Sequence, residues 1–179
     1  VWKADGSKFV VSFNSNGGSK ISDQAYVTAT ATKYDKFFTP TRAGYTFGGW
    51  FLQDADGNLG TQEYVGGEAF VQKSAHTFGA KWIAKDDTKY TVDYFINSGE
   101  KDANGNFIYK KVNEAGVTKT YTGKTEQTAK IAESDKLAEL TVGGATYWYD
   151  ANNAHNVFEG VITGAPALSL RLYYDRYFD

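Results

Sequence analysis

TPTRAGYTFGGWF, residues 39–51, sets a proline, three glycines and four aromatic rings within thirteen positions. Strands favour aromatics and disfavour glycine, so the mixture reads as a strand whose backbone bends, or is closely approached, at Gly44, Gly48 and Gly49. Working outward, KFVVSF near the start puts Phe9, Val11 and Phe13 on one face and Val10 and Ser12 on the other. That is the period of two of a half-buried strand, and SNGGS ends it with turn residues. A third strand is expected over residues 77–82, where Phe78, Ala80 and Trp82 alternate against Gly79 and Lys81.

After Ile83 comes AKDDT, charged and without large apolar residues, and residues 84–88 read as a linker. The pattern then restarts. YTVDYFI places Tyr90, Val92, Tyr94 and Ile96 on one face, as KFVVSF does at the front of the chain, which divides it into modules at 1–83 and 89–179. Further strands are expected over 107–112, 117–121 and 145–149, and a last one where Leu168, Leu170, Leu172 and Tyr174 alternate. One short helix per module completes the expectation. IAESDKLAEL, 131–140, has good helix formers with Ser134 as N-cap; its counterpart falls around 63–74, weakened by Gly66 and Gly67. The expected class is therefore β-rich α+β.

Composition narrows the chemistry. The 19 basic and 21 acidic residues nearly cancel, and no basic run is long enough to follow a phosphate backbone, so nucleic acid is not an expected partner. No apolar run reaches the ~18–20 residues of a membrane helix. Cysteine is absent, leaving the compartment open on that count. A start at Val1 and the lack of any methionine read as a piece of a longer protein.

Two stretches resemble known families. Val11, Phe13, Asn16, Gly17, Gly18, Pro40, Thr41, Arg42, Gly44, Tyr45, Phe47, Gly49, Trp50, Ala80, Lys81 and Trp82 form an ordered set resembling the Listeria-Bacteroides repeat, the internalin B-repeat type of bacterial surface proteins, over residues 9–83. Asn14 and Phe51 depart from it, standing where aspartate and tyrosine are common, and 21–38 follows no nameable pattern. The resemblance implies a ubiquitin-like β-grasp, a small mixed sheet curled over one short helix. YTVDYF, YTGKTEQ and LRLYYDR, within 89–177, resemble the mucin-binding-protein-like (MucBP-like) repeats of Gram-positive surface proteins, although Thr125 is followed at once by Glu126, where that family often has an intervening glycine. Together the two resemblances imply tandem β-grasp modules of an extracellular, cell-wall-associated bacterial protein. The expected function is a non-catalytic stalk, spacer or adhesive repeat flanked by neighbouring repeat modules. The alternatives are an adhesin module for host mucin, glycan or surface protein, and, more distantly, an accessory fragment of a carbohydrate-active enzyme.

No catalytic, cofactor-binding or metal-ligating set stands out. DADGN (54–58) and DANGN (102–106) offer alternating oxygens of the kind that wrap calcium, but Val65 occupies the twelfth position where an EF-hand needs glutamate, and both stretches read as hairpin turns. His76 and His155 are the only histidines, one per module. Tyr147, Trp148 and Tyr149 are a candidate ligand platform, since exposed rings stack on sugars. Alternation limits it, because Trp148 points away from its two neighbours and at least one set belongs to the core. A lysine, an asparagine and an acid meeting in the core would also allow an intramolecular isopeptide crosslink, which spacing alone does not reveal.

Overall fold

β1 (Lys8–Asn14), β2 (Gln24–Val27), β3 (Tyr45–Gln53), β4 (Leu59–Tyr64) and β5 (His76–Ala84) form one sheet in the order β2-β1-β5-β3-β4. This arrangement comes from a computed structural model that describes residues 6–114 and 116–176. The chain divides into two units, 1–84 and 85–179. It is β-rich, with 49% of the described residues in strands.

In the first unit β1 runs parallel to β5 at the centre of the sheet, and the other neighbours are antiparallel. The alternation of KFVVSF is realised: Phe9, Val11 and Phe13 are buried on one face. They meet Phe78 and Ala80 from β5 and Trp50 and Tyr64 from the β3–β4 hairpin. The glycine- and aromatic-rich stretch at 39–51 runs into β3 and supplies its first seven residues. Its register against β5 slips between Phe47 and Gly49, a bulge made where Gly49 adopts φ 114°, and this turns Trp50 into the core.

The expected helix over 63–74 is absent. β4 continues to Tyr64, and residues 65–75 form a loop in which Gly66 takes φ 97° and Gly67 φ 90°. Gly66 lies against other backbone, since a Cβ there would come within 2.2 Å of the Asp35 carbonyl oxygen. The core face is closed instead by the irregular segment 28–44, which inserts Tyr34 and Phe37. Its backbone groups pair with the glycine loop: Tyr34 N–H donates to Glu68 O, Phe37 N–H to Val65 O, and Gly67 N–H to Tyr34 O. Partners outside the segment thus replace the internal bonds of a helix.

The second unit builds its sheet from β6 (Thr88–Lys101), β7 (Phe107–Lys111), β8 (Lys119–Gly123), β10 (Glu139–Val142), β11 (Ala145–Tyr149) and β13 (Ser169–Asp175). The order is β10-β11-β13-β6-β7, with β8 pairing the first half of the long β6. Again the first and last strands, β6 and β13, are parallel at the centre. Leu170, Leu172 and Tyr174 are fully buried with Val92 and Tyr94, as the alternation predicts. The hairpin beyond the last strand is reversed relative to the first unit. There its earlier strand, β3, lies against β5; here its later strand, β11, lies against β13.

The expected helix at 131–140 is also absent. Residues 133–135 make one 3-10 turn, and Ala132, with no side-chain cap, sits where Ser134 was expected to serve. β9 (Thr128–Lys130) precedes the turn and β10 follows it. β9 pairs with β12 (Glu159–Val161) in a two-stranded sheet that lays Ala129, Ile131 and Ile162 over the core. Ile131, just after β9, and Leu140, on β10, are both buried, while Leu137, which a helix would have turned inward, is exposed. Strand pairing overrides helix propensity in this segment. No α-helix occurs among the described residues, so α+β is corrected to an all-β architecture. The stretch read as a linker is shorter than 84–88: Ala84 closes β5, and Thr88 opens β6 with its buried hydroxyl 2.6 Å from that of Thr125.

Candidate ligand-binding surface

β11, ATYWY, divides its three rings between faces. Tyr147 is buried in the second unit's core and Tyr149 packs against the same cluster, whereas Trp148 points to the opposite face and is 46% exposed. The three do not form one platform.

Register decides what surrounds Trp148. It pairs with Glu139 on β10 and Asp175 on β13. Directly paired residues share a face, so the ring lies between two carboxylates. The row continues across the sheet: Asn97 on β6 donates from Nδ2 to Asp175 Oδ1 at 3.0 Å and pairs with Tyr109 on β7. The Tyr109 hydroxyl donates to the same oxygen at 2.7 Å and accepts from Asn153 Nδ2 at 2.9 Å. Burial, reinforced by the hydrogen bond to Asp175, pushes the Tyr109 phenol up to about 12. A cleft of about 530 Å³ opens beside Trp148, lined also by Tyr149, Asp150, Asp175 and Arg176. Arg176 sits 5.6 Å from the centroid of the Tyr147 ring. Sequence reasoning reached Trp148 but not Asp175, Asn97 or Tyr109. They lie far apart in the chain, and only strand register brings them together.

The remaining candidates have internal roles. Asp54 and Asp102 fold their carboxylates back onto their own loops: Asp54 Oδ1 accepts from the N–H of Asp56 and Asn58, and Asp102 Oδ1 from that of Asn104 and Asn106. These bonds, that from Asn58 or Asn106 first, hold both carboxyls below the usual aspartate value. Both stretches are hairpin turns, joining β3 to β4 and β6 to β7. His76 is fixed between the Ser74 carbonyl at Nδ1 and the Tyr34 hydroxyl at Nε2, each at 2.6 Å. His155 lies against the rings of Tyr109 and Tyr173. Among the described residues no three of His, Cys, Asp and Glu cluster as a metal site. Lys111 Nζ meets the buried Asp93 at 3.3 Å from Oδ1, while Thr91 and Ser169 hydroxyls donate to Oδ2. The partner is an aspartate whose Oδ2 is held by hydroxyls, and the contact is an ion pair that leaves the buried Oδ1 without a hydrogen-bond donor.

In the first unit the motif residues lock onto one another. Asn16 Nδ2 donates to Ala80 O at 2.9 Å, Trp82 Nε1 to Ser15 O at 2.7 Å, and Trp50 Nε1 to Phe38 O at 2.8 Å. The Arg42 guanidinium lies 3.9 Å from the Tyr45 ring centroid. Gly18 is pressed against Trp82, where a Cβ would come within 2.3 Å of the indole.

Residues 9–81 match the Listeria-Bacteroides repeat domain. Repeats of this type are found in extracellular bacterial surface proteins and are in general non-catalytic. The match lies wholly within the first unit and contains every motif residue named above except Trp82, which follows one position later. The MucBP-like resemblance of 89–177 finds no such support. No curated protein and no solved structure matches the chain. No helix among the described residues is long and apolar enough to cross a membrane.

Proposed function

We propose that this chain is a non-catalytic repeat segment of a bacterial cell-surface protein, a stalk or spacer of two tandem modules. One observation carries the reading: the residues that define the repeat are engaged in holding its own strands and loops together. Asn16, Trp50, Trp82, Arg42 and Gly18 each find their partners inside the first unit. A motif retained for chemistry would instead converge on a cleft. Each unit is read as a β-grasp variant without its helix. Support comes from the parallel pairing of first and last strands at the centre of both sheets, and from the non-helical segments that close each core face. The three residues Lys85–Asp87 between β5 and β6 fit modules joined in series.

Antibodies raised against the chain are expected to label intact, unpermeabilised cells of the source bacterium, and the purified chain to turn over neither peptidoglycan nor mucin glycans. Labelling only after permeabilisation, or hydrolysis abolished by a single carboxylate substitution, would overturn the reading.

A further inference from the structure

We propose that the outer face of the second unit's sheet carries a binding subsite for a neutral pyranose sugar, held against the indole of Trp148. The cleft beside that ring, about 530 Å³, falls in the ~300–1,000 Å³ range of small-molecule sites. Its walls combine the two chemistries a pyranose needs. One is an aromatic face on which the sugar's C–H edges pack, since the π-face is negative and the C–H bonds are weakly positive. The other is carboxylates that accept hydroxyl protons in charge-assisted bonds, and Asp150 and Asp175 provide them at the rim.

Preorganisation separates this cleft from an ordinary exposed ring. Asp175 is fixed by two donors on Oδ1, Asn97 Nδ2 and the Tyr109 hydroxyl, and Tyr109 is held in turn by Asn153. The carboxylate therefore has a set orientation before any ligand arrives, which lowers the ordering cost of binding. Asn97 is itself buried, so the network is anchored in the fold. Trp148 stands on a mid-sheet strand, β11, between β10 and β13, which fixes the backbone that carries it.

Charge selects among sugars. Among the described residues, Asp150 and Asp175 in the cleft wall and Glu139, which pairs with Trp148 from β10, are acidic, against Arg176 as the basic residue of that wall. A carboxylated sugar such as a sialic or uronic acid would bring like charge to an acidic rim, whereas a neutral hexose or N-acetylhexosamine brings only hydroxyl and amide dipoles.

The test uses the whole chain. Four tryptophans give four indole N–H resonances, of which Trp148 supplies the only one from the second unit. Titration with N-acetylglucosamine, methyl galactoside and N-acetylneuraminic acid is followed by 15N NMR. The Trp148 indole, assigned by its loss in W148F, is expected to shift saturably with a neutral sugar, and N-acetylneuraminic acid to bind at least ~10-fold more weakly. W148A is expected to abolish the response of backbone amides 147–150, and W148F, which keeps a ring, to retain part of it. Because Trp148 is on the surface, both variants should fold, as the unchanged dispersion of the remaining resonances would show. No saturable shift with any neutral sugar up to ~50 mM, well past the millimolar range of weak sites, would overturn the proposal. So would undiminished binding by W148A or tighter binding of N-acetylneuraminic acid.

Discussion

Replacing Trp50 by alanine is expected to bring the first unit to the edge of unfolding while leaving the second folded. Trp50 is 2% exposed and packs edge-on against Phe13 and Phe47, with ring centroids 5.1 Å and 5.5 Å away. Truncating a buried tryptophan typically costs ~3–5 kcal/mol. The lost hydrogen bond from Nε1 to the Phe38 carbonyl adds ~1 kcal/mol. A unit of this size holds ~4–12 kcal/mol in all, at ~0.05–0.15 kcal/mol per residue, so a loss of ~4–6 kcal/mol is comparable with its entire stability. Each unit closes its own sheet over its own cluster of buried side chains, which is why the loss should stay local. Thermal melts followed by NMR would show the first unit's resonances collapsing far below the temperature at which the second unit's disappear. Trp50→Phe keeps a ring and loses the hydrogen bond, so it should cost a fraction of this. The reasoning fails if Trp50→Ala melts both units in one cooperative transition, which would make the chain a single folding domain. It fails equally if neither unit is destabilised, which would mean the ring contributes nothing to the core.

Gly66→Ala should destabilise the first unit by well over ~1 kcal/mol, since the residue combines φ 97° with a Cβ position 2.2 Å from the Asp35 carbonyl oxygen; Gly67→Ala, strained in φ but with open space around it, should cost less in the same melts. Stability should fall as pH rises from about 10 to about 12. Burial first, then the nearby Asp135 charge, pushes Tyr94 up from 10.0 to about 12, and Tyr109 behaves alike beside Asp175. The unfolded chain gives up these protons from its ordinary value while the folded state keeps them, so the contribution is complete below pH 10 and declines above it; a flat denaturation midpoint across that window would contradict this. Intact mass should equal the sequence mass, because Lys111 meets Asp93 as an ion pair with its own side chain 43% exposed; a deficit of one water would show an amide between them, and one of ammonia a lysine–asparagine bond elsewhere.

Most strands were legible because burial on one face imposes a period of two, and that signal is local. Phe9, Val11 and Phe13, or Leu170, Leu172 and Tyr174, declare their face without knowledge of any partner, and the turn chemistry of DADGN and DANGN is equally self-contained. The repeat motif was legible for a related reason: the fits of Gly18 to Trp82 and of Asn16 to Ala80 tolerate few other side chains, which leaves a strict pattern along the chain. What tertiary structure alone decided are matters of partnership. Residues 131–140 have helix formers, yet they became a turn between two strands because β9 and β10 find hydrogen-bond partners in β12 and β11. The short strands β2, β9 and β12 carry too few residues to show a period and exist through their neighbours. Trp148 could be singled out on its own strand, but its company of Glu139, Asp175, Asn97 and Tyr109 is gathered from four other strands. Periodicity fixes which way a side chain points; the register between strands, set by the packing of the whole sheet, fixes what it stands beside.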